Sequence, residues 1–148
     1  MLSAMRKFLR EQLGQSMVEM ALALPIMTFL LLGGTDMARA FAIQVAVQNG
    51  ARAGAEATVL DFTPTGAETI DHAQQEMNRT PGVDATQATI TVTRKQQDGT
   101  TNCISSPDPT TPCFVTVRVQ YTFRTVINWP FIQNTFNFDR ATKMRVYW

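Results

Sequence analysis

Residues 14–34 of this 148-residue chain read GQSMVEMALALPIMTFLLLGG, and this stretch decides the fold. No charged residue occurs from Met20 to Thr35. A helix over that interval covers roughly 24 Å at ~1.5 Å of rise per residue. The hydrocarbon core of a bilayer is ~30 Å thick. The sequence therefore predicts a membrane helix that takes in a few more residues, over about 17–35.

Glu19 is a charged residue set inside this apolar segment. A helix that includes Met17 and Val18 in the bilayer places the carboxylate of Glu19 in the apolar layer. An ionised side chain deep in a membrane helix costs about 2.5–3.5 kcal/mol on insertion scales. Such a residue either has a binding partner or a function, or it lies hydrated at the level of the lipid headgroups. Position alone leaves both interpretations open.

The segment before the apolar run is short and basic. Residues 1–14, MLSAMRKFLREQLG, contain three bases and one acid, so their removal would change the formal net charge from +1 to −1. The positive-inside rule predicts a cytoplasmic N-terminus with the rest of the chain across the membrane. The near-zero bulk charge gives no reason to expect a nucleic-acid partner. Pro25 and the lack of a small-x-small cleavage site distinguish the segment from a secretory signal.

Small residues recur every four positions in the helical sequence beyond the membrane. They are Ala38, Ala42, Ala46, Gly50 and Gly54. At this spacing they form one ridge on a helix, which allows another backbone to approach closely. The ridge is a candidate assembly surface for a second subunit. The alternative, equally compatible with the sequence, is that it packs on the head domain of its own chain.

The rest of the chain predicts a small head domain. AETIDHAQQEMNR at 67–79 predicts a short helix, and period-two alternation in 85–95, 114–126 and 135–148 predicts three strands. Three antiparallel strands with a helix across one face give the class α+β. The expected inward residues of the helix are Ile70, Ala73 and Met77, and the expected aromatic packing residues are Phe131, Phe136 and Phe138.

Few residues of the head suit catalysis or metal binding. Cys103 and Cys113 flank a turn-rich loop and predict a disulfide in an oxidising compartment, the alternative being two free thiols. His72 is the single histidine and has no cysteine, glutamate or second histidine at ligand spacing. The sequence therefore predicts no catalytic, metal or cofactor site. On the outer sheet face the cations Arg118, Arg124, Lys143 and Arg145 predict a basic stripe, which is a solvated face or, as the alternative, a partner surface.

A family resemblance begins at Gly14. The processing site of type IV prepilins is a glycine followed by four residues and a glutamate, and the stretch from Gly14 to Glu19 resembles it. The longer stretch 14–57 is similar to the TadE-like pseudopilins of the Tad (Flp-type) pilus. It shares their GQ-x-x-VE-x-A start, the apolar run with proline, and the acid, arginine and aromatic that follow. Met20 departs from the pattern, where the family tends to have an aromatic residue.

The resemblance implies a minor pilin-like subunit. A prepilin peptidase would cut between Gly14 and Gln15, which creates an α-amino group on Gln15 that is a cation at neutral pH. That amine would pair with Glu19 of a neighbouring subunit. The implied domains are a leader at 1–14, a pilin-like helix at 15–58 and a head at 59–148.

The implied partners and location follow the same analogy. They are other pilin or pseudopilin subunits, an inner-membrane assembly platform and membrane lipid. The chain would span the bacterial inner membrane once, with its head in the periplasm, or would reach the cell surface in an assembled pilus. A different class of function is an uncleaved single-pass anchor that carries an extracytoplasmic binding or adhesin-like module. The N-terminal residue of the mature chain distinguishes the two.

Overall fold

A computed structural model provides the structure of the chain. It describes residues 2–60, 65–103, 110–130 and 132–146, with side chains described from residue 14 onward. The predicted α+β class is confirmed. The elements are helix α1 (Leu2–Leu60), helix α2 (Gly66–Asn78), a 3-10 turn (Ala85–Gln87), and strands β1 (Thr89–Gln96), β2 (Cys113–Arg124) and β3 (Thr135–Arg145).

Two compact units divide the chain, Met1–Ala38 and Arg39–Trp148. The first unit contains the apolar segment of α1. The second unit, called the head below, contains α2, the sheet and the last part of α1. In the structure, α1 itself supplies one wall of this unit from Arg39 onward. The predicted domain bounds at 15–58 and 59–148 stay predictions.

The sheet is antiparallel and has the strand order β1-β2-β3. The central strand β2 alternates strictly between buried apolar residues and residues that reach the opposite face. This is the predicted period of two, which follows because successive side chains of a strand point to opposite faces. The buried residues of β2 are Cys113, Val115, Val117, Val119, Tyr121 and Phe123.

The first strand begins later than predicted. Ala85–Gln87 form a 3-10 turn, and β1 starts at Thr89. Asp84 explains the difference, because its carboxylate accepts hydrogen bonds from Thr86 N (3.1 Å) and from Gln87 Nε2 (3.0 Å). The side-chain bond from Thr86 is also the main reason that the pKa of Asp84 is lowered. A capping acid of this kind competes with the strand ladder for the backbone.

Helix α2 begins at a capping box. Thr65 Oγ1 accepts a hydrogen bond from Glu68 N (3.2 Å), and Thr65 N donates to Glu68 Oε2 (2.8 Å). These two reciprocal bonds satisfy the backbone N–H groups of Glu68 and Thr65, and they fix the first turn of α2. The backbone bond from Thr65 lowers the pKa of Glu68.

The inward face of α2 differs from the prediction at one position. Ala73 and Met77 are buried as expected, but the third buried residue is Thr69, and Ile70 is half-buried. Thr69, Ala73 and Met77 are each four residues apart and therefore lie on one face of the helix. The threonine is tolerated there because its hydroxyl has a partner in α1, described below.

The head core is closed by a stripe along the last part of α1. Ile43, Val47 and Ala51 of this stripe are buried in one cluster with the inner residues of β2. They are spaced four apart, as expected for a helix with one face against a sheet. Phe136 and Phe138 pack at the margin of the same cluster. The predicted packing residue Phe131 and the predicted strand end at Tyr147 and Trp148 lie outside the described residues.

The outer face of the sheet carries an ion pair within the predicted basic stripe. The guanidinium of Arg118 donates to both carboxylate oxygens of Asp139, with Nε at 2.8 Å from Oδ1. Lys143 Nζ lies 4.6 Å from the centroid of the Phe114 ring. Arg118 and Lys143 therefore have partners on the same face, and the stripe is not a continuous positive surface.

Asp139 gives a pH-dependent prediction. The hydrogen bonds from Arg118, with a further bond from Gln120, lower the pKa of Asp139 to about 2. An unperturbed aspartate titrates near ~3.9, so the pair stabilises the folded head above that pH, and its contribution is lost as the pH falls towards 2. Residue-specific NMR titration of the full chain in detergent should place the Asp139 transition well below the ordinary range.

The matched variant for this titration is Arg118→Gln. Without the guanidinium, the Asp139 transition should move up towards the ordinary aspartate range. An Asp139 transition that is the same in both proteins would contradict the proposed cause. The measurement must be residue-specific, because hydrogen bonds also lower the pKa values of Asp98, Asp84 and Glu68.

Candidate assembly site on the long helix

The apolar part of α1 exposes its side chains on all sides. Every large hydrophobic residue from Met17 to Leu32 has an exposed side chain. In the part of the chain that the structure describes, Gly14–Leu60 is the one helix long and apolar enough, by length and composition, to cross a membrane. Its most apolar window has a mean hydropathy of 1.8, and none of that window is buried. A surface of this size and composition is typical of a membrane-embedded or protein-binding segment.

The hydroxyl groups in this segment are satisfied within the helix. Thr28 Oγ1 donates to the carbonyl of Leu24 at 2.8 Å, and Thr35 Oγ1 donates to the carbonyl of Leu31 at 2.9 Å. Threonines that bond back four residues need no water. The helix also continues through Pro25, as membrane helices allow.

The predicted processing residues lie on the exposed surface of α1. Gln15 and Glu19 are exposed, and the amide of Gln15 donates from Nε2 to Glu19 Oε1 at 3.2 Å. A β-carbon added to Gly14 would meet no atom within 4 Å. The carboxylate of Glu19 is thus oriented by its i−4 neighbour on the surface of the helix, and its pairing with a second subunit stays a prediction.

The ridge of small residues divides into two parts. Ala46, Gly50 and Gly54 are buried in the head, whereas Ala38 and Ala42 are exposed. Of the two alternatives that the sequence leaves open, the structure shows packing on the chain's own head for the three C-terminal members. These three have no surface left for a second subunit, so an assembly contact through the ridge is confined to its two exposed alanines.

The approach of α2 to α1 requires the glycines. A β-carbon on Gly54 would lie 3.1 Å from the carbonyl oxygen of Thr69, 3.2 Å from Ala73 Cβ and 3.3 Å from Val117 Cγ1. One on Gly50 would lie 2.5 Å from Met77 Cγ. Both helices and the central strand therefore meet where α1 has no side chain.

A buried hydrogen bond joins the two helices beside Gly54. The hydroxyls of Thr58 and Thr69 are 2.9 Å apart, and Thr58 Oγ1 also donates to the carbonyl of Gly54 at 2.9 Å. Both threonines are almost fully buried. Sequence reasoning missed this pair, since a threonine in an Ala-rich helix gives no signal of its partner.

Arg39 makes a second contact that the sequence did not predict. Its guanidinium carbon lies 5.5 Å from the centroid of the Phe123 ring, within cation–π range. The contact joins the first residue of the head to the C-terminal end of β2. In the local sequence, this contact is indicated by the four-residue spacing of Arg39 and the buried Ile43, because residues four apart lie on one face of a helix.

Cys103 and Cys113 are joined by a disulfide with an S–S distance of 2.03 Å. The bond connects the first residue of β2 to the residue after an isolated bridge between Lys95 and Asn102. Residues 104–109 between the two cysteines lie outside the described ranges. The disulfide thus ties the β1–β2 connection to the start of the central strand.

His72 lies on the exposed side of α2. It lines an open groove of about 500 Å³ together with Glu56 and Glu68. Among the described residues, no group of three or more histidine, cysteine, aspartate or glutamate side chains is arranged to hold a metal ion. The carboxylate of Glu68 is held by the capping box, and Glu56 accepts from Arg52 Nε at 2.7 Å.

A candidate membrane helix followed by a small α+β head is the architecture of a membrane-anchored protein. Residues 14–56 match the family model described as TadE-like protein. Over these residues the chain is similar to the TadE-like family, in agreement with the resemblance seen over 14–57. No curated protein and no solved structure matches the chain.

Proposed function

We propose that the protein is a minor pilin-like structural subunit of a Tad/Flp-type pilus or a related secretion machine. The observation that carries the proposal is the coincidence of the TadE-like match at 14–56 with an exposed apolar helix surface. In that surface Glu19 is the charged residue between Gln15 and Thr35. The helix is the assembling element, and the head is the part presented outside the membrane.

The proposed assembly step pairs two charges. Cleavage between Gly14 and Gln15 by a prepilin peptidase creates an α-amino cation on Gln15. Staggered packing of neighbouring helices brings that cation to the carboxylate of Glu19 in the next subunit. Each charge is costly in an apolar bundle, and pairing removes much of that cost. In the uncleaved chain the amide of Gln15 already bonds Glu19, which keeps the carboxylate on the surface where a neighbour can reach it.

Ala38 and Ala42 extend the proposed helix contact towards the head. Both are exposed, and on a helix they lie above one another on one face. Small side chains at this spacing allow a second helix to come close. Their exposure supports a contact with another pilin or pseudopilin subunit.

The proposed location follows from the leader and the helix. The basic leader stays in the cytoplasm, α1 crosses the inner membrane, and the head lies in the periplasm, where an oxidising environment suits the disulfide. An inner-membrane assembly platform would receive the subunit from the lipid.

The proposal predicts the N-terminus of the mature protein and the effect of Glu19→Gln. N-terminal sequencing of the protein from membranes should find Gln15 as the first residue. Loss of one partner from a buried ion pair costs about 3–5 kcal/mol, so Glu19→Gln should lower incorporation into a co-purified pilus complex by more than about tenfold. Both are measured on the same membrane sample.

Glu56→Gln is the matched control for this substitution. Glu56 lies on the same helix but is paired with Arg52 on the exposed surface of the head, so the variant should be processed and incorporated like the wild type. Unchanged processing and incorporation of Glu19→Gln would refute the charge pairing. A mature chain that keeps Met1 or Leu2 would instead support the uncleaved anchor with a binding head.

A further inference from the structure

Charge is divided between the helices and the strands of the head. Helix α2 carries three acids and no arginine or lysine. The three strands together carry seven arginine or lysine residues and one acid, Asp139. Because α1 and α2 pack on the face of the sheet that holds the valines of β2, the outer face of the sheet lies on the opposite side of the head from α2.

The outer face carries a cluster of cations around one aromatic ring. Lys95, Phe114 and Arg145 are direct neighbours across the three strands. Thr116 and Lys143 form the next pair on the same face, since residues alternate between the two faces along a strand. Lys143 and Arg145 are exposed, and Lys95 is half-buried. These three cations, called the basic cluster below, therefore lie together at the end of the sheet where β2 begins.

The acids that the described strands and turns place near the basic cluster are already bonded. Asp139 is on the outer face, and its carboxylate accepts from Arg118. It lies four residues before Lys143, or roughly 13 Å along the strand, which exceeds the Debye length of about 8 Å at physiological ionic strength. Asp98, in the turn after Lys95, accepts hydrogen bonds from within that turn. These two acids therefore leave the cluster with a net positive charge.

Short side chains line the outer face beside the basic cluster. They belong to Thr91, Thr93, Thr116 and Ala141. Neighbouring strands are about 4.8 Å apart, so three strands give a floor about 10 Å wide. An α-helix with its side chains is about 10–12 Å across. The outer face is therefore wide enough for one helix, and its cations suit a helix that carries acids.

The exposed side of α2 has this composition. Glu68 and Asp71 are both exposed. The side chain of Gln75 donates from Nε2 to Asp71 Oδ2 at 2.7 Å, which orients that carboxylate on the helix surface. Arg52 and Arg79, which precede and follow α2 in sequence, are each in an ion pair with a glutamate. Helix α2 therefore presents acids that these arginines do not neutralise.

We propose that the outer sheet face of one copy of this protein binds α2 of a second copy, with the basic cluster against the carboxylates of Glu68 and Asp71. The second copy is favoured over an unrelated acidic partner because the chain itself carries the matching helix. Complementary charge of this kind sets the register and orientation of a contact. The two surfaces lie on opposite sides of the head, so the contact is heterologous and can repeat from copy to copy. It involves the head alone and goes beyond the proposed function, which concerns α1.

Zero-length cross-linking of the full-length chain in non-ionic detergent tests the contact. A carbodiimide joins a lysine amine to a carboxylate without a spacer, so it captures direct ion pairs. In an equal mixture of isotope-labelled and unlabelled protein, the product should join Lys143 of one isotope to Glu68 or Asp71 of the other. Raising the salt from about 0.01 M to about 1 M shortens the Debye length from about 30 Å to about 3 Å and should abolish this product. No cross-link at low salt, or links within one isotope only, would overturn the proposal.

Charge reversal tests the same contact without a reagent. Lys95→Glu with Lys143→Glu should weaken self-association about tenfold, since exposed ion pairs are replaced by like charges. Asp71→Lys with Gln75→Lys should do the same, and it leaves the capping box of α2 intact. An equal mixture of the two variants should associate like the wild type, because each reversed surface then meets its opposite charge. Sedimentation velocity in the same detergent measures the wild type, both variants and the mixture.

Two further variants are the controls. Arg52→Glu with Arg79→Glu makes the same change in net charge away from the outer face, so it should not weaken self-association. Lys143→Arg should keep self-association but lose the cross-link at this position, since a carbodiimide does not couple a guanidinium. An equal loss in the arginine control, or a mixture that fails to recover, would overturn the proposal. Self-association that none of the reversals changes would assign it to α1, which overturns the head contact and leaves the proposed function in place.

Discussion

Gly54→Val should lower the free energy of unfolding of the head by about 1–3 kcal/mol, the range typical of overpacked cores. The three atoms that a β-carbon would meet within 3.3 Å belong to a backbone carbonyl and to two short side chains. The carbonyl of Thr69 and the β-carbon of Ala73 belong to α2 and cannot rotate away, so α2 must move off α1. Thermal unfolding of the full chain in detergent should show a Tm lower by roughly 4–8 °C per kcal/mol.

Gly34→Val is the matched control for this prediction. It makes the same change on the same helix, where a β-carbon has no atom within 4 Å, and the head should unfold at the wild-type temperature. Ala42→Leu, at an exposed ridge position, should also leave the head stable but should reduce incorporation into the pilus complex. Equal head stability of Gly54→Val and Gly34→Val would refute the close packing of α2 on α1.

Replacement of both cysteines by alanine should cost the head about 3 kcal/mol. Cys103 and Cys113 are separated by 10 positions, and closing a ring of that length raises the free energy of the unfolded chain by about this much, because the ring removes chain entropy. Alanine is preferred to serine because Cys113 is only 3% exposed, and a hydroxyl there would need a partner. The measurement is the urea midpoint of full-length wild type and variant in the same detergent.

Reduced wild-type protein provides the control for this variant. With the disulfide opened by a thiol reagent, the wild type should unfold near the midpoint of the double alanine variant. A wild-type midpoint that is the same with and without reductant would show that the bond contributes little to the folded head.

The elements of the fold are predictable from local patterns. The alternation in β2 depends on a run of valines and aromatics separated by polar residues, and a strand with one buried face requires that order. The start of α2 is visible in the Thr65–Glu68 spacing. The late start of β1 is harder to predict, because the competing turn depends on a single carboxylate, Asp84.

The partner of the small-residue ridge is not predictable from spacing. Alanine and glycine at every fourth position favour close approach of any backbone, whether of α2 or of another subunit. The choice depends on contacts distant in sequence, such as Gly54 with Thr69 and Val117. For the same reason the sequence does not predict the hydrogen bond between Thr58 and Thr69. It also does not predict the ion pair of Arg118 with Asp139, which depends on the register of β2 and β3.

The strand order leaves two borders of the sheet without a neighbour among the described residues, namely β1 and β3. Uncovered strand borders invite backbone pairing between molecules, and charged side chains along them oppose it. β1 carries Arg94 and Lys95, and β3 carries Asp139, Arg140 and Lys143. These charges therefore oppose amyloid-like pairing between copies of the head.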